Sequence, residues 1–421
     1  MNLYDVTIVG GGPAGLMAAI AAAQQQVNVA LIEKGNMLGR KLRISGGGRC
    51  NVTNGKPLDE IIKNVPGNGK FLYSTLHQFN NQDIIRFFEG LGIPLKEEDR
   101  GRMFPATDQA KTVVDALIRK MDKFGVAIIT GDPVKDIVFK EHVHTLSLTS
   151  GKTIHTKTVI LATGGCSMPK TGSTGDGYTW AKKAGHTITD LYPTAVPLTA
   201  NNDYIQNHSL QGLSLRNITL TLLNPKGKKI IQEEGDMIFT HFGISGPAVL
   251  RISHYVSITR KKFNNLPLSL TIDLFPHLNI EMVEKDLQQL KETNEKKALK
   301  NALKNYVPER LLTLLIQLIE CEDTLTMTQV SKDKLQKLAL LMKNFPLTIT
   351  GTLPLELATV TGGGVHIKEI NPKTMESRLT KGLYFAGEIM DVHAHTGGYN
   401  ITVAFSTGYT AGHSAALECL V

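Results

Sequence analysis

Apolar and polar positions change rhythm several times along this chain. Asp5-Val-Thr-Ile-Val is a short apolar run ending at Gly10, and small apolar residues then dominate as far as Gln26. That pattern predicts a buried strand followed by a helix over residues 14–26, and Val27-Asn-Val-Ala-Leu-Ile32 predicts the next strand. Helical spacing marks 83–91 through Ile84, Ile85, Phe87, Phe88 and Leu91, and 108–124 through Val113, Val114, Leu117, Ile118 and Met121. Short strands are expected around 126–129, 134–139, 144–148 and 153–155, then a separate run Thr158-Val-Ile-Leu-Ala162. From about 194 to 275 strand-like alternation takes over, as in Ile218-Thr-Leu-Thr-Leu222 and Leu268-Ser-Leu-Thr-Ile272, with Asn224-Pro-Lys-Gly227 as a hairpin turn. Residues 279–343 read as amphipathic helices rich in Lys and Glu. Met282, Leu287 and Leu290 mark one; Leu311, Leu312, Leu315, Ile316 and Ile319 mark another, after Pro308. From about 352 the chain returns to strand, glycine turn, strand, glycine turn, helix.

The two ends therefore read as one α/β domain, 1–193 with 352–421. It is interrupted by a β-rich segment, 194–278 with 344–351, that carries a helical insert, 279–343. The N-terminal strand and helix need the C-terminal strand, turn and helix to complete their sheet. A chain of 421 residues has room for two or three such domains. No uncharged run is long enough to span a membrane, and the first strand begins too early to leave space for a signal peptide, so a cytoplasmic protein is expected. The four cysteines, Cys50, Cys166, Cys321 and Cys419, form no Cys-x-x-Cys, which argues against a zinc site, a dithiol pair and a disulfide framework; no metal site is expected. The net charge of +8 hints at a polyanionic partner. Its excess gathers at Lys34, Arg40, Lys41, Arg43 and Arg49, and again at Arg216, Lys226, Lys228, Lys229, Arg251, Arg260, Lys261 and Lys262, although either group also suits a solvated surface.

The first βαβ unit carries chemistry. Gly10-x-Gly12-Pro13-Ala14-Gly15 joins strand to helix, and Glu33 ends the second strand. Gly10 allows a tight turn, Gly12 lets backbone approach a diphosphate and Gly15 lets helix pack on strand. The helix N-terminus offers N–H groups and partial positive charge to that diphosphate, while Glu33 accepts ribose hydroxyls. This combination predicts a dinucleotide site. Further glycine constellations follow predicted strands: Ser45-Gly46-Gly47-Gly48-Arg49-Cys50-Asn51, Ala162-Thr163-Gly164-Gly165, and Ala386-Gly387-Glu388 with Asp391 and Thr396-Gly397-Gly398-Tyr399-Asn400. Each exposes backbone N–H groups to a ligand. Thr361-Gly-Gly-Gly-Val365 is the nearest approach to a second dinucleotide loop, but no alanine-rich helix or strand-end acid follows it.

These motifs resemble the flavoproteins with two dinucleotide folds that are related to glutathione reductase. Gly46-Gly-Gly-Arg-Cys-Asn-Val-Thr-Asn54, Gly101-Arg-Met-Phe-Pro105, Phe239-Thr-His-Phe-Gly-Ile-Ser-Gly-Pro247 and Thr396-Gly-Gly-Tyr-Asn400 resemble, more narrowly, the aminoacetone-oxidase-like family of FAD-binding proteins, essentially end to end. The resemblance implies a Rossmann-like FAD-binding domain interrupted by an inserted β-barrel domain that carries a helical segment. It implies that Gly10, Gly12, Gly15 and Glu33 hold the ADP half of FAD, and that Pro13 and Ala14 also bind the cofactor. Lys34, Lys41 and the 45–49 loop, with Ser45, Gly46, Gly47 and Arg49, would lie along the adenosine, diphosphate and ribityl parts, with Ala162, Thr163, Gly164 and Gly165 against the nucleotide; Cys50 and Asn51 would also bind the cofactor. Gly387 and Glu388 would meet the ribityl–diphosphate region, and Asp391 would also bind the cofactor. Gly398, Asn400 and Ile401 would point helix N–H groups at the flavin pyrimidine edge, where reduction develops negative charge, and Gly397 and Tyr399 would also bind the cofactor.

Family members implied by the resemblance include C=C reductases, among them a bile-acid pathway enzyme and ribosomal RNA dihydrouridine synthases, and a branch described as oxidising an aminoketone. The reading favoured here is an FAD oxidoreductase that reduces a C=C bond conjugated to a carbonyl, with NAD(P)H as a transient electron donor. Its substrate would be an electron-poor small molecule or uracil in ribosomal RNA. An amine or aminoketone oxidase, and a flavin-bound RNA-binding or redox-sensing protein without turnover, remain open alternatives. Reduction needs an acid beside the flavin. Cys50, His393, His395, Tyr399 and, in the insert, His241 are the candidates, with Ser245 near the last. Because His393 and His395 alternate, only one of them is expected to face the flavin if that stretch is extended. Nothing in the sequence points to DNA, and the oligomeric state is left open.

Overall fold

A computed structural model describes residues 3–420 apart from 323. It divides into two compact units, Met1–Tyr192 with Leu355–Val421, and Pro193–Pro354.

The first unit is built on a seven-stranded sheet. Along one path its strands run Ala127–Thr130, Val29–Glu33, Leu3–Val9, Thr153–Leu161, His144–Leu148 and Val134–Val138, with Leu383–Phe385 also on Thr153–Leu161. The strand Leu3–Val9 is parallel to both neighbours, with Val6 opposite Val29 and Thr158. Leu383 pairs with Val159 in parallel register, so the C-terminal segment extends the sheet begun at the N-terminus. The runs 153–155 and 158–162, read separately from the sequence, are one strand. Its polar middle stays in the sheet because Lys157 pairs with Asp5 at 2.8 Å and the Thr158 hydroxyl donates to the Asp5 carbonyl.

Helix Pro13–Ala23 is short of the expected 14–26, and the other two early helices are Asn81–Gly90 and Ala110–Lys123. Asn80 caps the second through the N–H groups of Gln82 and Asp83, with Asp83 bonding back. Helix Pro13–Ala23 is alanine-rich and almost wholly buried because the last helix, Tyr399–Leu420, lies on it at backbone contact. A Cβ on Gly408 would come 2.2 Å from the Ala14 carbonyl oxygen, and one on Gly412 would come 2.1 Å from that of Ala18.

The second unit is a closed antiparallel barrel of six strands: Leu198–Ala200, Gly243–Ser245, Lys229–Phe239, Ser214–Leu223, Leu268–Asp273 and Phe345–Thr352, which returns to the first. Period-two alternation places Leu220, Leu222, Leu270, Ile272, Leu347 and Ile349 in its core, with the Phe345 ring edge-on to Phe239. A 16-residue helix, Pro247–Lys262, interrupts the region that the sequence marked as strand-like throughout. Its buried side includes Ser253, His254 and Thr259, which hides the helical period from a hydrophobic reading. The remaining helices include Ile280–Thr293, Glu309–Leu318 and Lys332–Lys343. Leu311, Leu312, Leu315, Ile316 and Ile319 are buried as expected, but Met282 is exposed and the adjacent Val283 takes the core position. No helix among the described residues is long and apolar enough to cross a membrane.

Candidate functional site

The site residues of the first unit gather at the carboxyl ends of its parallel strands, where such sheets bind ligands. Gly10 turns with φ +112°, and a Cβ there would lie 2.4 Å from the Ala162 carbonyl oxygen; one on Gly15 would lie 1.8 Å from that of Gly10. Both glycines are therefore required by the chain's own packing. Gly12 is different. It caps the helix at φ −80°, open to any residue, and nothing stands within 4 Å of a Cβ built on it. Neither conformation nor packing asks for glycine there, and the space it leaves lies at the N-terminus of helix Pro13–Ala23. Pro13 takes the first helical position, where its missing N–H costs nothing. The Glu33 carboxylate accepts the Gly11 and Gly35 N–H groups at 2.8 Å each, which fixes it beside the loop with lone pairs to spare.

A second wall comes from the turn Ser45–Gly48 and the start of the last helix. Gly46 and Gly47 have φ of +57° and +70°, while the Ser45 hydroxyl donates to Leu42 and its carbonyl accepts the Cys50 N–H. Gly398 lies so close to Thr53 that a Cβ would sit 2.5 Å from that residue's oxygen. Asn54 reaches the Gly397 carbonyl, and the Thr53 and Thr402 hydroxyls meet at 2.7 Å. Asn51 is buried here, and its side-chain oxygen has no hydrogen-bond partner. Ile401 is half-buried on the first turn.

Lys41 and Glu388 join these elements. The Lys41 ammonium lies 2.9 Å from both the Glu388 carboxylate and the Ser167 hydroxyl; that hydroxyl and the Thr361 N–H donate to the other Glu388 oxygen. Burial by itself would raise the Glu388 pKa, but Lys41 and these donors hold it below the usual carboxylate range. Ser167 and Thr361 were not legible as site residues, since nothing local in the sequence ties them to position 388. Gly387 donates to Thr407, and Gly165 packs on Thr361 so tightly that a Cβ would lie 2.4 Å from its hydroxyl oxygen. Gly164 turns with φ +74°, and the Thr163 hydroxyl beside it is a second buried polar atom without a partner.

Two basic candidates are matched within the protein. Lys34 pairs with Asp176 at 2.7 Å and with the Thr174 hydroxyl. Arg49 pairs with Glu98 at 2.8 Å and Asp108 at 3.4 Å, its guanidinium over the Phe104 ring.

The candidate acids separate. Cys50 is fully buried, and burial pushes its thiol up to about 12, which makes it a poor proton donor near neutrality. His393 and His395 lie on a segment clamped by residues 64–68. Gly67 and His393 exchange backbone hydrogen bonds, His395 donates its N–H to the Asn64 carbonyl, and Asn68 reaches the Asp391 carbonyl. The imidazole of His393 rests on Gly67, where a Cβ would fall 2.2 Å from its Nδ1, and meets Tyr192 edge-on. His395 Nδ1 stands 3.4 Å from the Asn64 side-chain oxygen. Residues two apart on an extended segment share a side, and both rings meet the same clamp. Burial raises the Asp391 carboxyl above the usual range despite hydrogen bonds from Thr189 and Asn68. Tyr399 is buried at the helix start, and Asn400 bonds the backbone of Ala394 and His395. His241 and Ser245 belong to the second unit; His241 is exposed on the turn before Gly243–Ser245, with its ring against Phe242. The Thr361–Val365 glycines are packed on the chain itself, a Gly363 Cβ falling 2.2 Å from the Asp190 carbonyl oxygen.

A family model described as the HI0933-like protein Rossmann domain matches residues 4–414. The ribosomal RNA dihydrouridine synthase of Haemophilus influenzae is 34% identical over 420 residues, covering 98% of this chain and 99% of that one. The 3-dehydro-bile acid delta(4,6)-reductase of Clostridium scindens is 29% identical over 414 residues, 98% of each chain. Among solved structures, 3-ketosteroid delta1-dehydrogenase from Sterolibacterium denitrificans shares the fold at a TM-score of 0.54 and 13% identity, over 99% of this chain and 100% of that one.

Proposed function

This chain belongs to the HI0933-like family of FAD-binding Rossmann proteins and is a flavoprotein oxidoreductase, and we propose that it reduces a C=C bond conjugated to a carbonyl, fed by NAD(P)H, with uracil in ribosomal RNA as its first candidate substrate. The observation that carries this reading is the end-to-end similarity to two relatives whose named reactions share one demand. Uracil and a 3-oxo steroid diene each take a hydride at a carbon conjugated to a carbonyl and need a proton at its neighbour.

The residues present fit FAD. Gly12 leaves room for a diphosphate at a helix N-terminus, Glu33 is fixed for a ribose, and Asn51 and Thr163 hold buried polar atoms without partners. Bound FAD supplies the hydride. The chain supplies the proton, for which the clamped segment 391–395 with Tyr399 offers His393, His395 and the phenol. The Lys41–Glu388–Ser167 cluster orders the strand end beside them. Since the second glycine run is filled by the chain's own backbone, the nicotinamide donor is read as a transient visitor.

Anaerobic addition of NADPH or NADH to the purified protein should bleach its flavin band, and re-oxidation should follow addition of an acceptor with a conjugated C=C. Ribosomal RNA from cells lacking the protein should contain less dihydrouridine. A flavin that stays oxidised with both nicotinamides overturns the NAD(P)H-fed reductase; bleaching with unchanged RNA overturns only the RNA substrate.

A further inference from the structure

We propose that the side-chain oxygen of Asn51 accepts the N3–H of the flavin pyrimidine ring. The inference requires only that the chain binds FAD, so it stands apart from the reductase reading.

Asn51 is 7% exposed, and its Oδ1 lacks a hydrogen-bond partner. Buried acceptors are rarely left so unless a ligand or water completes them. Its position supplies the second argument. A Cβ built on Gly398 falls 2.9 Å from Asn51 Oδ1, and one built on Gly46 falls 3.0 Å from the Asn51 nitrogen. Asn51 thus sits where the Ser45–Gly48 turn meets the start of helix Tyr399–Leu420. First-turn N–H groups of that helix have no acceptor within it.

The pyrimidine edge of a flavin presents acceptors at N1, O2 and O4 and one donor, N3–H. A helix N-terminus satisfies acceptors and cannot satisfy the donor. A neutral amide oxygen beside it can, and the amide, unlike a carboxylate, does not repel the negative charge that reduction brings to this edge. The chemistry therefore accounts for Asn over Asp at this position.

Cells fed ¹⁵N-labelled riboflavin would give holoprotein whose flavin N3–H is visible by NMR. In the wild type that proton should be protected from exchange. Asn51→Ala should retain the fold by circular dichroism and lose protection about tenfold or more, the scale of one lost hydrogen bond. Asn51→Asp should keep the N3–H protected while lowering the flavin reduction potential. Equal protection in wild type and Asn51→Ala overturns the proposal. Should Asn51→Ala retain no flavin, Asn51→Asp decides: a protected N3–H supports the assignment and an unprotected one overturns it.

Discussion

The two units use glycine for opposite purposes. In the barrel, a Cβ on Gly243 would lie 2.2 Å from the Leu198 carbonyl oxygen and one on Gly246 2.8 Å from the Met237 Cα, so the missing side chains are replaced by neighbouring strands. In the FAD unit, Gly10 and Gly15 serve the same end, but Gly12 faces open space at an unstrained φ of −80°. At Gly12 neither conformation nor neighbours require a glycine, and the open space lies at a helix N-terminus. The contrast is between glycines whose missing side chain the chain itself fills and one whose space it leaves open.

The contrast is broken most sharply by placing the same side chain at each kind of position. Gly243→Val has no space to enter and should cost more than about 4 kcal/mol, seen as loss of soluble protein or of a cooperative thermal transition. Gly12→Val should fold with an unchanged circular dichroism spectrum yet bind FAD roughly 100-fold more weakly, about 3 kcal/mol, measured as flavin absorbance per mole of protein. Full flavin occupancy in Gly12→Val would remove the assignment of this loop to the diphosphate.

A smaller effect is expected at the ion pair of the FAD unit. Glu388 is held below the usual carboxylate range, so its contribution to stability is complete above the unfolded carboxylate's pKa and is lost as pH falls through the lowered folded value. In Lys41→Met the partner is gone and burial governs, so Glu388 should titrate above its ordinary range, and its ionisation then opposes folding at neutral pH. The deficit, roughly 2 kcal/mol for a partly buried pair, should be largest near neutrality and narrow as pH falls through the carboxylate range. Thermal unfolding of both proteins across that range checks it. A deficit that grows with acid would mean that Lys41 does not hold Glu388 ionised.

What the sequence made legible follows the same physics. Backbone-to-backbone approach and positive φ both exclude a Cβ, so Gly10, Gly15 and Gly398 stand out in the letters themselves, as does the alternation that lines the barrel with Leu220, Leu222 and Leu270. Helix Pro247–Lys262 did not stand out, because Ser253, His254 and Thr259 are buried beside its apolar residues. Met282 marks its helix in the letters, but the core position falls one residue on, at Val283. Ser167 and Thr361 reach Glu388 across the chain by side-chain and backbone hydrogen bonds that any of several polar residues can make, and so leave no local pattern. The clamp of Asn64, Gly67 and Asn68 on residues 391–395 is hidden for the same reason.

The least effect is predicted for the barrel's basic turn, where charge rather than shape is at issue. Asn224 is buried, and its side-chain oxygen accepts the N–H groups of Lys226 and Lys228 at 2.9 and 3.0 Å; its own N–H donates to the Lys228 carbonyl at 2.9 Å. Gly227 completes the turn at φ +74°, and Lys226, Lys228 and Lys229 are all exposed. A fixed turn loses little conformational freedom when its lysines meet phosphates. If ribosomal RNA is the substrate, replacing these three lysines by alanine should weaken RNA binding several-fold and flatten its dependence on salt by about 0.7 in log–log slope for each lost phosphate contact. Flavin content and NAD(P)H bleaching should stay at wild-type levels, because none of the three belongs to the FAD unit. Salt titration of binding to a ribosomal RNA fragment reads both effects. Unchanged affinity and slope would make this turn a solvated surface, and the comparison would then sharpen the other way, with every charge that matters to the ligand lying among the strand ends of the first unit.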